Sequence, residues 1–270
     1  MKQLKLMVLT LTLLMGTMFT SCMDSGESGP QQWAGVVKVN DRMGYVTFTD
    51  AAGTELIPTN TIPVTLNARM AYIYCQVDEG QDLSTNPKSI KITLLADPTG
   101  IDATAIATPK VGELGDVTTN APVGSLSFAS GYSTVAPFQF SENTIVLPVL
   151  YRVKNVTTTE DIKNELAKHT FTLVCYTDDI KSGDTILKLY LRYKVEDEPA
   201  AIAERATRTS SFKAYEISQI LREYTLKSGQ AKPAKITIVA QQNEYNNKNN
   251  KLEDTSTIEK VYEIEYKTAE

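Results

Sequence analysis

The chain has 270 residues, with 27 lysines and arginines against 32 aspartates and glutamates, a formal −5. No basic stripe runs along it, which argues against nucleic acid as a partner, and the acidic balance argues against adsorption on anionic lipid head groups. The length allows one large or two modest domains, and three cysteines do not make the dense disulfide framework of a small secreted scaffold.

The chain opens MKQLKLMVLTLTLLMGTMFTSC. Lys2 and Lys5 form a short positive start, and residues 6–15 are almost wholly apolar. That core is shorter than the roughly 20 apolar residues of a membrane-spanning helix. Positive start, short apolar core and small residues at its end define a secretory signal over residues 1–21. These 21 residues hold two lysines and no acid, so the rest carries 25 basic and 32 acidic side chains, a formal −7. Phe19-Thr20-Ser21-Cys22 resembles a bacterial lipobox in the loose form of the Bacteroides group. The resemblance implies that Cys22 becomes the first mature residue and carries the lipid, with two or more acyl chains giving stable membrane anchoring. Residues 22–31 read as a flexible tether. Asp24 and Glu27 in it resemble the acidic signal for export to the outer leaflet, so the expected place is the outer membrane, exposed at the cell surface.

Beyond the tether, period-two alternation dominates the chain and predicts an all-β fold. WAGVVKVN (33–40), Val46 and Phe48 alternating with Tyr45, Thr47 and Thr49, Glu55–Thr59, ARMAYIYCQV and KSIKITLLA are strand candidates. NDRMG and DAAG supply turns. In the fourth strand Ala71, Ile73, Cys75 and Val77 share one face, and Tyr72, Tyr74 and Gln76 the other. Five short antiparallel strands over 32–97 fit a small barrel of the OB type, although an SH3-like barrel uses a similar pattern. Pro63 and the β-branched residues around it disfavour a helix between the third and fourth strands. Trp33, the only tryptophan, is expected to plug one end of the barrel.

Residues 98–122 are rich in Gly, Pro, Thr and Asp and read as a linker. A second β-rich region, 123–267, reads as a β-sandwich. Its first long strand, TIVLPVLYRV, places Ile145, Leu147, Val149, Tyr151 and Val153 on one side. Pro148 cannot donate to a ladder, so that strand should be an edge or carry a bulge. KHTFTLVCYT and DTILKLYLRYKV then form a hairpin, the latter with Lys188, Tyr190, Arg192 and Lys194 facing outward. TEDIKNELAK, capped by Thr159, and SQILREY, capped by Ser218, are expected as short helices. Residues 196–211 read as a loop. AKITIVAQ and TIEKVYEIEY close the domain, joined by the asparagine-rich stretch QNEYNNKNNKLEDTS as an exposed tip.

GYVTFTDAAGTELIP, ARMAYIYCQVDEG, IKITLL and HTFTLVCYTDDIKSGDTILKLYLRY, in this order behind a lipobox leader, resemble the NigD-like family of Bacteroides-group lipoproteins. The resemblance implies an N-terminal OB domain and a C-terminal β-sandwich, and it brings no catalytic residues. The chain departs from the family in its diluted acidic run after Cys22 and at Arg192-Tyr193-Lys194, the end of the long strand.

Chemistry is sparse. The single histidine, His169, is expected as a surface or helix-end residue, and one histidine cannot build a multi-histidine zinc site. Cys75 and Cys175 read as two buried free thiols in preference to one bridge, which exported proteins can form. Asp178, Asp179 and Asp184 flank a turn without the spacing of a calcium loop. Asp184-Thr185-Ile186 matches a loose O-glycosylation signal of Bacteroides-group bacteria. No nucleophile elbow, phosphate loop or dinucleotide fingerprint occurs. Tyr72 and Tyr74, two apart on one strand, could stack a sugar ring or a peptide, or cover an interface. The expectation is therefore a non-enzymatic, lipid-anchored binding or interaction protein of the cell envelope. It needs no cofactor or metal, and its ligand would be a protein or a glycan. The alternatives are a bacteriocin-associated immunity or envelope-stress protein, motivated by the family name, and a fimbrial-type structural subunit.

Overall fold

The computed structural model describes residues 31–42, 45–60, 66–83, 87–130, 133–244 and 256–268. The leader 1–21, Cys22, Pro63 and most of the asparagine-rich stretch lie outside the described residues. Contacts divide the chain into two compact units. One runs to Ala103 and takes in Ala129–Val135; the other holds Thr104–Phe128 and Ala136–Glu270.

The first unit is a closed barrel. Strands β1 (Gln32–Arg42), β2 (Tyr45–Thr49), β3 (Glu55–Pro58), β4 (Met70–Val77) and β5 (Ser89–Leu94) pair in the order β1-β2-β3-β5-β4. The β1–β4 pairing closes the ring, and β3 and β5 run parallel. That circuit is the five-stranded OB arrangement, in which closure removes the free edges of an open sheet. β1 is long because it serves two neighbours. Gln32–Lys38 pairs with β4 and Lys38–Arg42 with β2. Alternation sets the interior: Trp33, Val37, Phe48, Leu56, Ala71, Ile73, Cys75, Ile90, Ile92 and Leu94 form one buried cluster. Trp33 lies directly opposite Cys75 across the closing pair. The β2–β3 turn is an Asx turn, Asp50 Oδ1 accepting from the Ala52 and Thr54 N–H groups at 2.9 Å each. Gly53 supplies its left-handed residue at φ 87°.

The second unit is a sandwich of two four-stranded sheets. Short strands β6 (Thr99–Ile101), β7 (Ala103–Ala105), β8 (Phe128–Ser130) and β9 (Ser133–Val135) precede its main strands. The main strands are β10 (Phe138–Ser141), β11 (Thr144–Val153), β12 (His169–Val174), β13 (Ile186–Val195), β14 (Thr207–Glu216), β15 (Lys235–Glu244) and β16 (Ser256–Glu265). One sheet has the order β10-β11-β14-β7, the other β12-β13-β15-β16. Ile145, Leu147, Val149 and Tyr151 of the first meet Phe171, Leu173, Leu187, Leu189, Leu191 and Ile238 of the second in one core. β12 and β13 form the expected hairpin, while β13 and β15 run parallel. Helix α1 (Thr159–Ala167) precedes β12, and α2 (Pro199–Ala203) and α3 (Ser218–Ser228) flank β14.

Several expectations need correction. Residues 98–122 are not a plain linker: β6 joins the barrel sheet and Ala107 bridges Val174. Asn120 bonds both the N–H and the C=O of Val195, and Ile106, Ala121, Val123 and Leu126 enter the sandwich core. Residues 196–211 are not a loop. They carry α2 and the first half of β14, which pairs with β11 over ten residues. Pro148 sits in an inner strand. Its missing donor points, like the Leu150 N–H that reaches Ser125 O, into the gap beyond the end of β10. The irregular register falls on β10, between Gln139 and Ser141. Thr158, not Thr159, caps α1, its hydroxyl accepting from the Asp161 N–H at 3.1 Å. Ser218 is inside α3, whose cap residue Ile217 offers no side-chain bond.

Candidate functional site

The largest fully buried side chain is a charged one, Arg205, at 0 % exposure. A guanidinium in a core must be paired and bonded, since desolvation otherwise costs several kcal/mol. Arg205 follows α2 and reaches Glu165 of α1. Its Nε donates to Glu165 Oε1 at 2.9 Å and Nη2 to Oε2 at 3.3 Å. Nη2 also meets Asp197 Oδ2 at 3.1 Å, and Nη1 the Ala201 carbonyl at 2.8 Å. Lys154 and Lys168 close on the same Asp197 oxygen at 2.8 and 3.3 Å. This ties the end of β11, α1, the end of β13 and the α2 segment into one polar cluster.

His169 opens β12 one residue after the α1 cap and turns into this cluster. It corrects the expectation of a surface histidine: its side chain is 1 % exposed. Nε2 faces Glu165 Oε1 at 3.3 Å and Nδ1 faces the Tyr193 hydroxyl at 2.6 Å. A carboxylate only accepts, so Nε2 carries the proton and Tyr193 donates to Nδ1, the neutral imidazole. Burial holds the imidazole below its ordinary pKa, against the raising effect of Glu165. Burial would raise the Glu165 carboxyl, but the Lys154 N–H, Arg205 and His169 outweigh it and hold it low. Asp197 is held low chiefly by Lys154 and, against its own desolvation, by Arg205 and Lys168.

Aromatic rings wall the inner side. Phe171 and Tyr193 stack at 4.5 Å, and Tyr151 from the opposite sheet meets His169 at 5.1 Å and Phe171 at 5.0 Å. Glutamate, histidine and tyrosine in hydrogen-bonded order are the parts of acid–base chemistry. Here both ring nitrogens are engaged and the ring is sealed from solvent, so no outside group reaches either. The cluster works as a polar pin that fixes one end of the sandwich.

The other residues singled out by sequence are dispersed. Tyr72 and Tyr74 share the outer face of β4, as expected. Tyr74 is 37 % exposed and bonds the Gln32 side chain, whereas Tyr72 is half-buried and burial raises its pKa. Cys75 and Cys175 are free and buried, each in the core of a different unit. Burial pushes both thiols up to about 12. Asp178 pairs with Lys227 at 3.0 Å, and Asp184 accepts the Lys181 N–H at 2.7 Å to shape its turn. Among the described residues no three His, Cys, Asp or Glu side chains gather as metal ligands. Thr185 of the glycosylation-like triplet is exposed. On the outer face of the hairpin, Arg192 lies over Tyr190 and Tyr176 at 5.1 and 5.7 Å and donates to the Tyr176 hydroxyl.

A five-stranded barrel followed by a two-sheet sandwich defines a two-unit all-β protein. The known proteins bear on that directly. A crystal structure from Bacteroides fragilis, described as that of a candidate lipoprotein, is 95 % identical over 89 % of this chain and all of its own, with a TM-score of 0.81. The chain belongs to that lipoprotein's family. A Bacteroides vulgatus protein of unknown function shares the fold at 11 % identity, with a TM-score of 0.53 over 88 % of this chain and 92 % of its own. A NigD-like immunity protein from Bacteroides caccae aligns over 87 % of this chain and 93 % of its own, at 12 % identity and a TM-score of 0.49. No family model matches the chain, and no curated protein does.

Proposed function

We propose that this chain is a non-enzymatic binding protein of the cell envelope, anchored through Cys22 to the outer membrane and exposed at the cell surface. The observation that carries the reading is the order of parts. A secretory leader ends in a lipobox-like cysteine, a short tether with Asp24 and Glu27 comes next, and the first strand among the described residues starts at Gln32. Membership in a lipoprotein family supports the anchor. The sealed Glu165–His169–Tyr193 cluster, the nearest thing to a catalytic arrangement among the described residues, supports binding over catalysis. The ligand is a protein or glycan component of the cell surroundings, with no cofactor and no nucleic acid involved. Labelling intact cells with radioactive palmitate tests the anchor. Label should enter the native chain and be lost in Cys22→Ala, and label retained in that variant overturns the anchor. Protease added to whole cells should degrade the chain. A fully protected chain in cells with intact membranes overturns surface exposure.

A further inference from the structure

A cleft of about 550 Å³ opens in the sandwich unit between α3, the β10–β11 turn and the residue after β16. That volume falls in the range of small-ligand sites, about 300–1,000 Å³. Its walls are fastened to one another before any ligand arrives. The Ile217 N–H donates to the Asn143 carbonyl at 2.8 Å, which fixes the start of α3 on the turn. The Tyr266 hydroxyl donates to the Glu142 carbonyl at 3.0 Å, and the Thr225 hydroxyl to the Ala231 carbonyl at 3.1 Å. A preformed site spends little binding free energy on ordering itself.

The lining has two characters. Leu221 and Tyr266 are half-buried against the sandwich core and give the cleft an apolar floor. Leu226 stands 79 % exposed on its wall. Against this apolar surface stand two cations in a chain of net negative charge. Lys232 is held by Glu142 at 3.0 Å. Arg222 is exposed and has no hydrogen-bond or ion-pair partner among the described residues. A planar guanidinium presents a fork of donors that matches a carboxylate in two parallel bonds. Asn143 is exposed, and its amide can both donate to and accept from a peptide group. Thr225, by contrast, already spends its hydroxyl on the Leu221 and Ala231 carbonyls. An apolar floor, one open cation and one open amide suit a peptide end better than a sugar ring, which needs several open hydroxyl partners.

We infer that this cleft binds the carboxyl end of a peptide with an apolar last residue. The last side chain lies on Leu221, Leu226 and Tyr266, and Arg222 takes the carboxylate. Asn143 bonds the peptide group before it. The inference rests on the reading of the chain as a binding protein and names the ligand class.

The test is an amide-shift titration of the purified, isotope-labelled full chain with acetyl-alanyl-leucine as free acid. The C-terminal amide of the same peptide and free glucuronate serve as comparison probes. The acid should shift signals of residues 217–226 in a saturable manner. The amide should bind about tenfold more weakly, and Arg222→Gln should weaken the acid by a similar factor, as loss of one charge-assisted pair implies. Arg222→Glu should abolish binding of the acid. Arg222 is exposed, so both variants should keep the native spectrum away from the cleft. Equal affinity for acid and amide, an Arg222→Gln variant that binds as well as the native chain, or shifts only outside the cleft would each overturn the inference. Glucuronate binding more tightly than the peptide would overturn the peptide assignment and point to an acidic sugar. The anchor is read by palmitate label in cells and the cleft by titration in solution, so either can fail without the other.

Discussion

Arg205→Met isolates the buried pin of the sandwich unit. The substitution keeps an unbranched side chain of similar reach and removes the charge. It deletes two bonds to Glu165, one to Asp197 and one to the Ala201 carbonyl. Glu165 then remains 4 % exposed with only the Lys154 N–H and the neutral His169 to bond it. Breaking one partner of a buried pair costs about 3–5 kcal/mol, mostly the cost of the charge left behind. For a unit of this size that lowers the midpoint by roughly 6–20 °C. The double variant Arg205→Met/Glu165→Gln removes the stranded charge as well and should recover more than half of the loss. Urea unfolding followed by far-UV circular dichroism measures both. Trp33, the only tryptophan, lies in the barrel core, so its fluorescence gives a separate reading of the barrel. A single variant that loses under about 1 kcal/mol, or a double variant no more stable than the single, would refute the account of Arg205 as a paired core charge.

Burial of the histidine and of the two thiols gives two more expected outcomes. His169 is neutral when folded, with its pKa below the ordinary value, so the unfolded chain binds the proton more readily. Its contribution is present above about pH 6.5 and declines as pH falls below that. Unfolding free energies across pH 5 to 7.5 should rise with pH, and His169→Gln, which removes the only histidine, should flatten that rise. An unchanged slope counts against the buried neutral ring. Cys75 and Cys175 should resist a thiol reagent in the native chain and both react once it is unfolded in urea, because burial keeps them protonated; rapid native labelling, or an intact mass two hydrogens short, contradicts this.

The barrel was legible because apolar and polar residues alternate along most of β4 and all of β5. Ala71, Ile73 and Cys75 turn inward on β4 as their spacing requires, and the β12–β13 hairpin carries a similar signature. β14 was not legible. Thr207, Thr209 and Ser211 give it β-branched or small polar residues instead of an apolar face, and only Ala214 and Tyr215 are fully buried. Its place is set by ten backbone pairings to β11, which leave no periodic mark in the side chains. The strap through Ile106 and Ala121 was missed for a related reason. It is held by bridges and by the Asn120 side chain, and its Gly- and Pro-rich texture reads as loop. Of the polar pin, the spacing of Glu165 and His169, one helical turn apart, was the single readable sign. Arg205 lay in a segment whose alanines and charges gave no hint of burial.

The two-neighbour pairing of β1 has a mechanical consequence. The first described residue is Gln31, and β1 starts one residue later, locked to β4 over seven registered positions. Its ladder bonds lie across the strand. A tug along the strand from the amino end therefore strains them all at once in shear, not singly as a zipper opens. From Lys38 onward, β2 takes a share of the load. A barrel whose first strand is fastened this way is built to stay folded while it is pulled from its amino end.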